Sequence, residues 1–353
     1  MSERTLQSEY MYWAKTREPV RYYLGGSEVP HFRMDQWAIA LADLELDGAS
    51  RYRDPPLRAA IAKKCGVSPE MVVMADGTSM ANMLAMAALI APGDEVLIEH
   101  PAYEPLVAAA RFLGAEVKRF TRQGPVFALD PEAVRAAVTE RTTLIVLTNL
   151  HNPTGNLADT AALHGIGKLG PRVLVDEVYL DAAPGQSTAA LLGDAFVTTG
   201  SLTKVYGLSG LRCGWILAEP ALAERMWRLN ELFGVSQPHA DERLSCIALA
   251  RLDEVVGDTP ALLARNRALA NAFFAGRDDL EVAPMVHNVT CFPRLKHGDV
   301  DALNDRLRAH YDAGIVPGRF FGLADHFRLG IGGQTDMVEA GLERLGKALD
   351  EIA

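Results

Sequence analysis

The chain has 353 residues, 49% hydrophobic and 23% charged, which is enough apolar material for a sizeable core and two domains without structural staples. A formal net charge of -10 argues against the clustered basic face that nucleic acid or an anionic membrane would require. Cys65, Cys213, Cys246 and Cys291 form no Cys-x-x-Cys pair, the longest apolar run (Met83 to Ala91) is too short to span a bilayer, and the N-terminal stretch has no apolar signal core; a reduced, cytoplasmic protein with small-molecule partners is expected.

Taken in chain order, Gly77-Thr78-Ser79 opens the helical pattern Ser79 to Ile90, which Pro92-Gly93 closes. Glu95 to Glu99 reads as a strand, Pro105 to Leu113 as a helix stopped by Gly114, Glu116 to Phe120 as a strand, and Pro131 to Val138 as a helix. Thr143 to Asn149, Arg172 to Asp176, Phe196 to Gly200 and Gly214 to Ala218 read as further strands. Most are free of charge inside, as strands covered on both faces tend to be. The fold class is therefore α/β, with a large domain over 41–238 built on a mostly parallel sheet. Beyond it, 240–275 reads as helical, Val286 to Leu295 and Phe327 to Gly330 alternate, and Met337 to Ile352 is an amphipathic helix. Residues 239–353 are expected to form a smaller α+β domain.

The chemistry concentrates in residues 201–215, SLTKVYGLSGLRCGW. Lys204 stands among apolar neighbours, and poor hydration favours the neutral amine that attacks a carbonyl. Ser201 and Arg212 offer a hydroxyl and a permanent charge for a phosphate, and Gly207, Gly210 and Gly214 are expected to let the backbone approach the ligand. An aldehyde joined to a phosphate is pyridoxal 5'-phosphate. Gly77, Thr78 and Ser79 at a helix N-terminus form a second anion-binding feature, one that ordinary N-capping also explains.

In an open parallel sheet, ligands collect at the carboxyl ends of the strands. Asn152-Pro153-Thr154-Gly155 follows one strand, Asp176 ends the next with Tyr179 just beyond, and Ser201 and Lys204 follow a third. Asp176 would face the cofactor's ring nitrogen and keep it protonated. Asn152 and Tyr179 are placed to donate to its phenolate oxygen, although Asn152-Pro153 also reads as a turn.

Ser-x-x-Lys with Arg eight residues further on, Asn-Pro-Thr-Gly and Asp-x-x-Tyr together resemble the class I/II, fold-type I aminotransferases, which depend on pyridoxal phosphate. The resemblance covers nearly the whole chain. It implies a Schiff base on Lys204 and transfer of an amino group between an L-amino acid and a 2-oxo acid. It also implies that Tyr103 stacks on the cofactor face, that Arg328 in Phe327-Arg328-Leu329-Gly330 clamps the substrate carboxylate in preference to nearby Arg319, and that Gly26 adds a backbone amide. Residues 1–40 would fold back onto the smaller domain. Tyr52, in Ser50-Arg51-Tyr52-Arg53-Asp54-Pro55, matches the tyrosine that reaches the phosphate of the neighbouring subunit in a homodimer with shared active sites. Its loop is shorter than the family's, since Leu57-Arg58 follow closely.

A decarboxylase, a β-eliminating lyase or an amino-acid cyclase would use the same cofactor cradle, and a non-enzymatic cofactor-binding regulator is disfavoured by the intact Lys204. Gly165-Ile166-Gly167-Lys168-Leu169-Gly170 fits a dinucleotide fingerprint, but it ends a helical stretch and precedes a strand, the reverse of the required context. The nine histidines show no metal-ligand spacing, so no metal is expected.

Overall fold

The computed structural model describes residues 5–47 and 51–352. Ser50, which opens the Tyr52 motif, and residues 1–4 and 353 of the two expected terminal segments lie outside them.

The chain begins with α1 (Glu9–Thr16), capped by Ser8 Oγ, which accepts from Met11 N, and with a short strand β1 (Tyr22–Tyr23). Helix α2 (Pro55–Cys65) starts on the side chain of Asp54, which accepts from Leu57 N, with proline in its first turn. The alternating region follows: β2 (Val72–Asp76), α3 (Gly77–Leu89), β3 (Glu95–His100), α4 (Glu104–Phe112), β4 (Glu116–Thr121), α5 (Pro131–Ala137), β5 (Thr142–Thr148), α6 (Thr160–Ile166), β6 (Arg172–Asp176), β7 (Phe196–Ser201) and β8 (Cys213–Leu217). They form one seven-stranded sheet in the order β2-β8-β7-β6-β5-β3-β4. Strands β3 to β7 run parallel, and β8 runs against both of its neighbours.

The expected strands appear within a residue or two of their sequence positions. Of the seven strands of this sheet only β2 goes unread in the sequence, because its apolar run is short and merges into the Gly77-Thr78-Ser79 turn. The period-two alternation explains the charge-free strands. Leu144 and Val146 of β5 face one hydrophobic core while Ile145 and Leu147 face the other, so both sides of the strand are buried. Because β5, β6 and β7 are parallel, Thr148, Asp176 and Ser201 finish on the same edge of the sheet.

Helix α7 (Pro220–Asn230) packs back on α3. The expected helical stretch over 240–275 is three helices, α8 (His239–Ala250), α9 (Leu252–Val256) and α10 (Thr259–Ala275). It breaks where Arg251 leaves helical geometry and where Gly257 takes φ +41°, followed by Pro260 in the first turn of α10. The remaining elements are β9 (Leu280–Glu281), β10 (Thr290–Cys291), β11 (Arg294–Leu295), α11 (Val300–Tyr311), β12 (Ala313–Gly314), β13 (Val316–Pro317), β14 (Phe327–Gly330) and α12 (Thr335–Asp350). An antiparallel sheet β10-β14-β13 carries Arg328, α12 packs against α10 and α11, and β1 pairs in parallel with β12. The N-terminal strand is thereby fixed beside these C-terminal elements. No helix among the described residues is long and apolar enough to cross a membrane.

Candidate active site

A cavity of about 580 Å³ opens at the carboxyl ends of β5, β6 and β7, roofed by α1 and the segment around 23–31. Lys204, Asp176, Asn152, Tyr179, Tyr103 and Arg328 all line it, as do Thr78, Ser79, Arg212 and Gly26.

One corner is built for an anion. Thr78 Oγ1 donates to Ser201 Oγ at 2.8 Å, and Ser201 Oγ lies 2.6 Å from Thr203 Oγ1, so three hydroxyls cluster at the start of α3. The N-cap residue of α3, Asp76, makes no side-chain cap; its carboxylate accepts from Gln237 Nε2 at 2.7 Å instead. The first amides of α3 are thus left to another acceptor. Gly77 sits at φ +75°, and a Cβ there would stand 2.9 Å from Arg212 Cζ and closer still to Nη2. Glycine is what allows the guanidinium to lie across the helix start, where Nη2 donates to Asp76 O at 3.1 Å. Hydroxyls, uncapped amides and a guanidinium are the donor set that a phosphate monoester needs, so the residues fit the group.

Two of the three glycines of the lysine segment, Gly207 and Gly214, serve the chain, which corrects the expected ligand approach for them. A Cβ on Gly207 would collide with Pro30 O and stand 3.0 Å from Phe32 N, and one on Gly214 would stand 2.5 Å from Gly77 C. Gly210 has open space around it. Two of them make room for neighbouring backbone, and through Gly77 one supports the anion corner indirectly.

Asp176 is buried, and burial pushes its carboxyl up to about 6, against the opposing pull of Asn82, the Val178 N–H and Lys204. Asn82 Nδ2 donates to Asp176 Oδ2 at 2.7 Å, and Asn82 Oδ1 accepts from Thr199 Oγ1 at 2.6 Å, which fixes the carboxylate's orientation. A cationic ring nitrogen facing it would favour its ionised form.

Lys204 departs from the expected apolar setting. Leu202, Val205 and Tyr206 turn into the core, whereas the lysine side chain points the other way and remains 31% exposed. Its Nζ lies 3.5 Å from Glu28 Oε2, and its carbonyl accepts from Val29 N at 3.0 Å. The amine therefore meets the cavity beside a carboxylate, not a wall of hydrocarbon.

Arg328 is 1% exposed. Nη1 donates to Asn152 Oδ1 at 3.2 Å, Nη2 to Tyr10 Oη at 2.8 Å and to Gly25 O at 2.9 Å, and Nε is buried without a partner among the described residues. No carboxylate of the described residues forms an ion pair with it, an unusual state for a buried guanidinium. Arg319, by contrast, pairs with Asp301 at 2.9 Å. The glycine of the Phe327–Gly330 phrase also has a reason, since a Cβ on Gly330 would overlap Gly26 O.

Beneath the rim, Glu99 Oε1 accepts from Thr148 N at 2.8 Å and Thr148 Oγ1 at 2.7 Å, while Oε2 accepts from Arg122 Nε at 2.8 Å; both ionic side chains are fully buried. Thr148 Oγ1 in turn accepts from Asn152 N at 2.9 Å. Asn152 is both a cavity residue and part of a turn, because His151 O accepts from Gly155 N. Tyr103 stands under α1, its ring 5.7 Å from that of Tyr10 in a T-shaped arrangement, and burial pushes its phenol well above the usual value. Tyr52 is not among the cavity residues: it is 48% exposed and its hydroxyl donates to Glu231.

Several cavity residues carry no motif. Tyr10 and Glu28 come from segments whose sequence signal is weak, Thr203 stands unassigned inside the lysine segment, and only Asn82, an amide within an otherwise apolar helical pattern, stands out in retrospect.

The model of the family "Aminotransferase class I and II" matches residues 23–345. This chain belongs to that family. The aminotransferase is 33% identical to capreomycidine synthase of Streptomyces vinaceus over 86% of its own length and 80% of the relative's, and 29% identical to histidinol-phosphate aminotransferase 1 of Dechloromonas aromatica over 90% and 87%. Among solved structures, a PLP-dependent aminotransferase from Streptococcus suis 89-1591 superposes with a TM-score of 0.91 at 22% identity, covering 99% of both chains. That likeness establishes the fold-type I architecture for this aminotransferase.

Proposed function

We propose that the protein is a pyridoxal 5'-phosphate-dependent aminotransferase that moves an amino group between an L-amino acid and a 2-oxo acid, with Lys204 as the covalent anchor. The observation that carries this reading is the convergence on one cavity of the Lys204 amine, the buried Asp176, the uncapped start of α3 beside Arg212, and the buried Arg328 without a carboxylate partner. When bound, the cofactor supplies the sink for the electron pair left as a substrate Cα–H bond breaks.

The chain's own residues divide the remaining work. Arg212, Ser201, Thr78, Ser79 and the amide of Gly77 would hold the phosphate, while Asp176, kept in place by Asn82, would hold the charge on the ring nitrogen. Tyr103 would pack on the ring, and Asn152 and Tyr179 would donate to its oxygen. Arg328 takes the substrate carboxylate with help from Gly26, and so orients the Cα–H bond. Lys204 Nζ, once released, removes the Cα proton and later returns it, and Glu28 at 3.5 Å pairs with the ammonium formed in between.

The further elements of the reading rest on the family. They are a homodimer in which Tyr52 reaches the partner's phosphate, a cytoplasmic location, and a division into residues 1–40, 41–238 and 239–353. The exposed position of Tyr52 outside its own cavity supports the first. A second reading is a decarboxylase, β-eliminating lyase or amino-acid cyclase on the same fold; the 33% identity to capreomycidine synthase keeps it in view, but histidinol-phosphate aminotransferases reach 33% and 34% over shorter spans and do not leave it favoured. Incubation of the holoenzyme with a panel of L-amino acids and a 2-oxo acid acceptor distinguishes them. Equal amounts of new amino acid and new 2-oxo acid support transamination; released carbon dioxide or ammonia, or a rearranged amino acid, refutes it in favour of the second reading.

A further inference from the structure

Outside the cavity, a buried cluster joins α2 to α8. Asp54, at the N-cap of α2, is fully buried; its Oδ1 accepts from Leu57 N at 2.9 Å, and its Oδ2 is buried with no hydrogen-bond partner among the described residues. Helix α8 packs on α2 and brings up Glu242, 1% exposed, whose Oε1 is likewise buried and unpartnered. His239, one turn earlier on α8, places Nδ1 3.4 Å from Glu242 Oε2. One ligand atom from each of the three residues lies within 4.8 Å of the others.

Two acceptor oxygens facing each other away from water repel, and such an arrangement requires a positive charge between them. The nearby arginines are engaged elsewhere. Arg51 and Arg243 direct their guanidinium groups to Glu45, at 2.7 and 2.9 Å, and Glu45 lies 3.9 Å from the far side of the His239 ring. A proton shared by the two carboxyls would also relieve the repulsion, with the imidazole on the edge of the pair at Glu242 Oε2. A metal ion uses all three groups: two carboxylate oxygens and a ring nitrogen suit a borderline divalent cation.

We propose that Asp54, His239 and Glu242 bind one divalent cation of the zinc type. The site braces the start of α2, and with it the Arg51–Asp54 turn that carries Tyr52, against α8. Sequence spacing hides it, because His239 and Glu242 form only an i, i+3 pair and Asp54 arrives from a distant segment.

The test uses tag-free holoenzyme, stripped with a chelator and dialysed against micromolar zinc chloride, with magnesium chloride in parallel. The expected result is about one zinc per chain by elemental mass spectrometry, no magnesium, and a raised Tm. His239→Ala and Glu242→Gln should lose the bound zinc and the Tm increment while keeping the wild-type cofactor content. Wild-type protein that retains no zinc, or variants that retain as much as wild type, would overturn the proposal, the former outcome leaving a shared proton as the occupant. Should the variants fail to fold, anomalous scattering at the zinc edge from wild-type crystals decides: a peak between the three side chains supports the site, and its absence there refutes it.

Discussion

Replacing Gly77 by alanine separates backbone strain from loss of the phosphate site. At φ +75° an alanine is in the left-handed region, which costs roughly 1 kcal/mol of stability. Its Cβ would also stand 2.9 Å from Arg212 Cζ and force the guanidinium off the start of α3. A hydrogen bond between charged groups is worth about 1.5 to 3 kcal/mol, so the phosphate should be held roughly ten- to a hundredfold more weakly. Gly66→Ala is the control: it has φ +69° but nothing within 4 Å of the new methyl, so it carries the strain without the collision. Binding is best measured with pyridoxamine 5'-phosphate, which has no aldehyde for Lys204 and therefore reports the cradle alone. Both variants should lose similar amounts of thermal stability, and only Gly77→Ala should lose affinity. Wild-type affinity in Gly77→Ala would refute the assignment of this corner to the phosphate.

Two further outcomes follow from the geometry. Tyr10→Phe removes the acceptor of the 2.8 Å bond from Arg328 Nη2, which should raise KM for the amino acid about fivefold through a loss of about 1 kcal/mol while leaving cofactor affinity unchanged; steady-state kinetics check the split, and an unchanged KM would show that Tyr10 does not position the arginine. Glu177, buried with Oε1 accepting from Ala189 N at 2.7 Å, has its carboxyl pushed up to about 7 by burial. Since the folded value lies above the unfolded one, its contribution is fully present below about pH 4.5 and is lost as the pH rises through about 7, on the order of 3 kcal/mol in all. Glu177→Gln should flatten that part of the decline in urea unfolding between pH 5 and pH 8; the same slope in both proteins would contradict the burial argument.

The parallel sheet was legible because buried strands have a simple signature. Thr143 to Asn149 and Phe196 to Gly200 contain no charge, and each lies in the structure within two residues of its expected place. The site was legible where three consecutive strand ends each carried a distinctive phrase, ending at Asn152, Asp176 and Lys204. What escaped were groups whose role depends on packing between distant segments. Tyr10 reaches Arg328 only because α1 lies over the cavity, and Glu28 reaches Lys204 only because the N-terminal segment is strapped across that loop by the Val29 N–H. Gly207 and Gly214 were misread for a related reason. Their value is in letting one backbone pass another, and the partner backbone, Pro30 to Phe32 against Gly207 or Gly77 against Gly214, cannot be inferred from the local phrase.

The most direct test of the central claim is to reduce the cofactor-loaded protein with borohydride, digest it, and locate the label by peptide mass spectrometry. The account predicts a phosphopyridoxyl group on the peptide containing Lys204, and neither label nor turnover in Lys204→Ala. A label on another lysine, or a Lys204→Ala protein with undiminished activity, would contradict it.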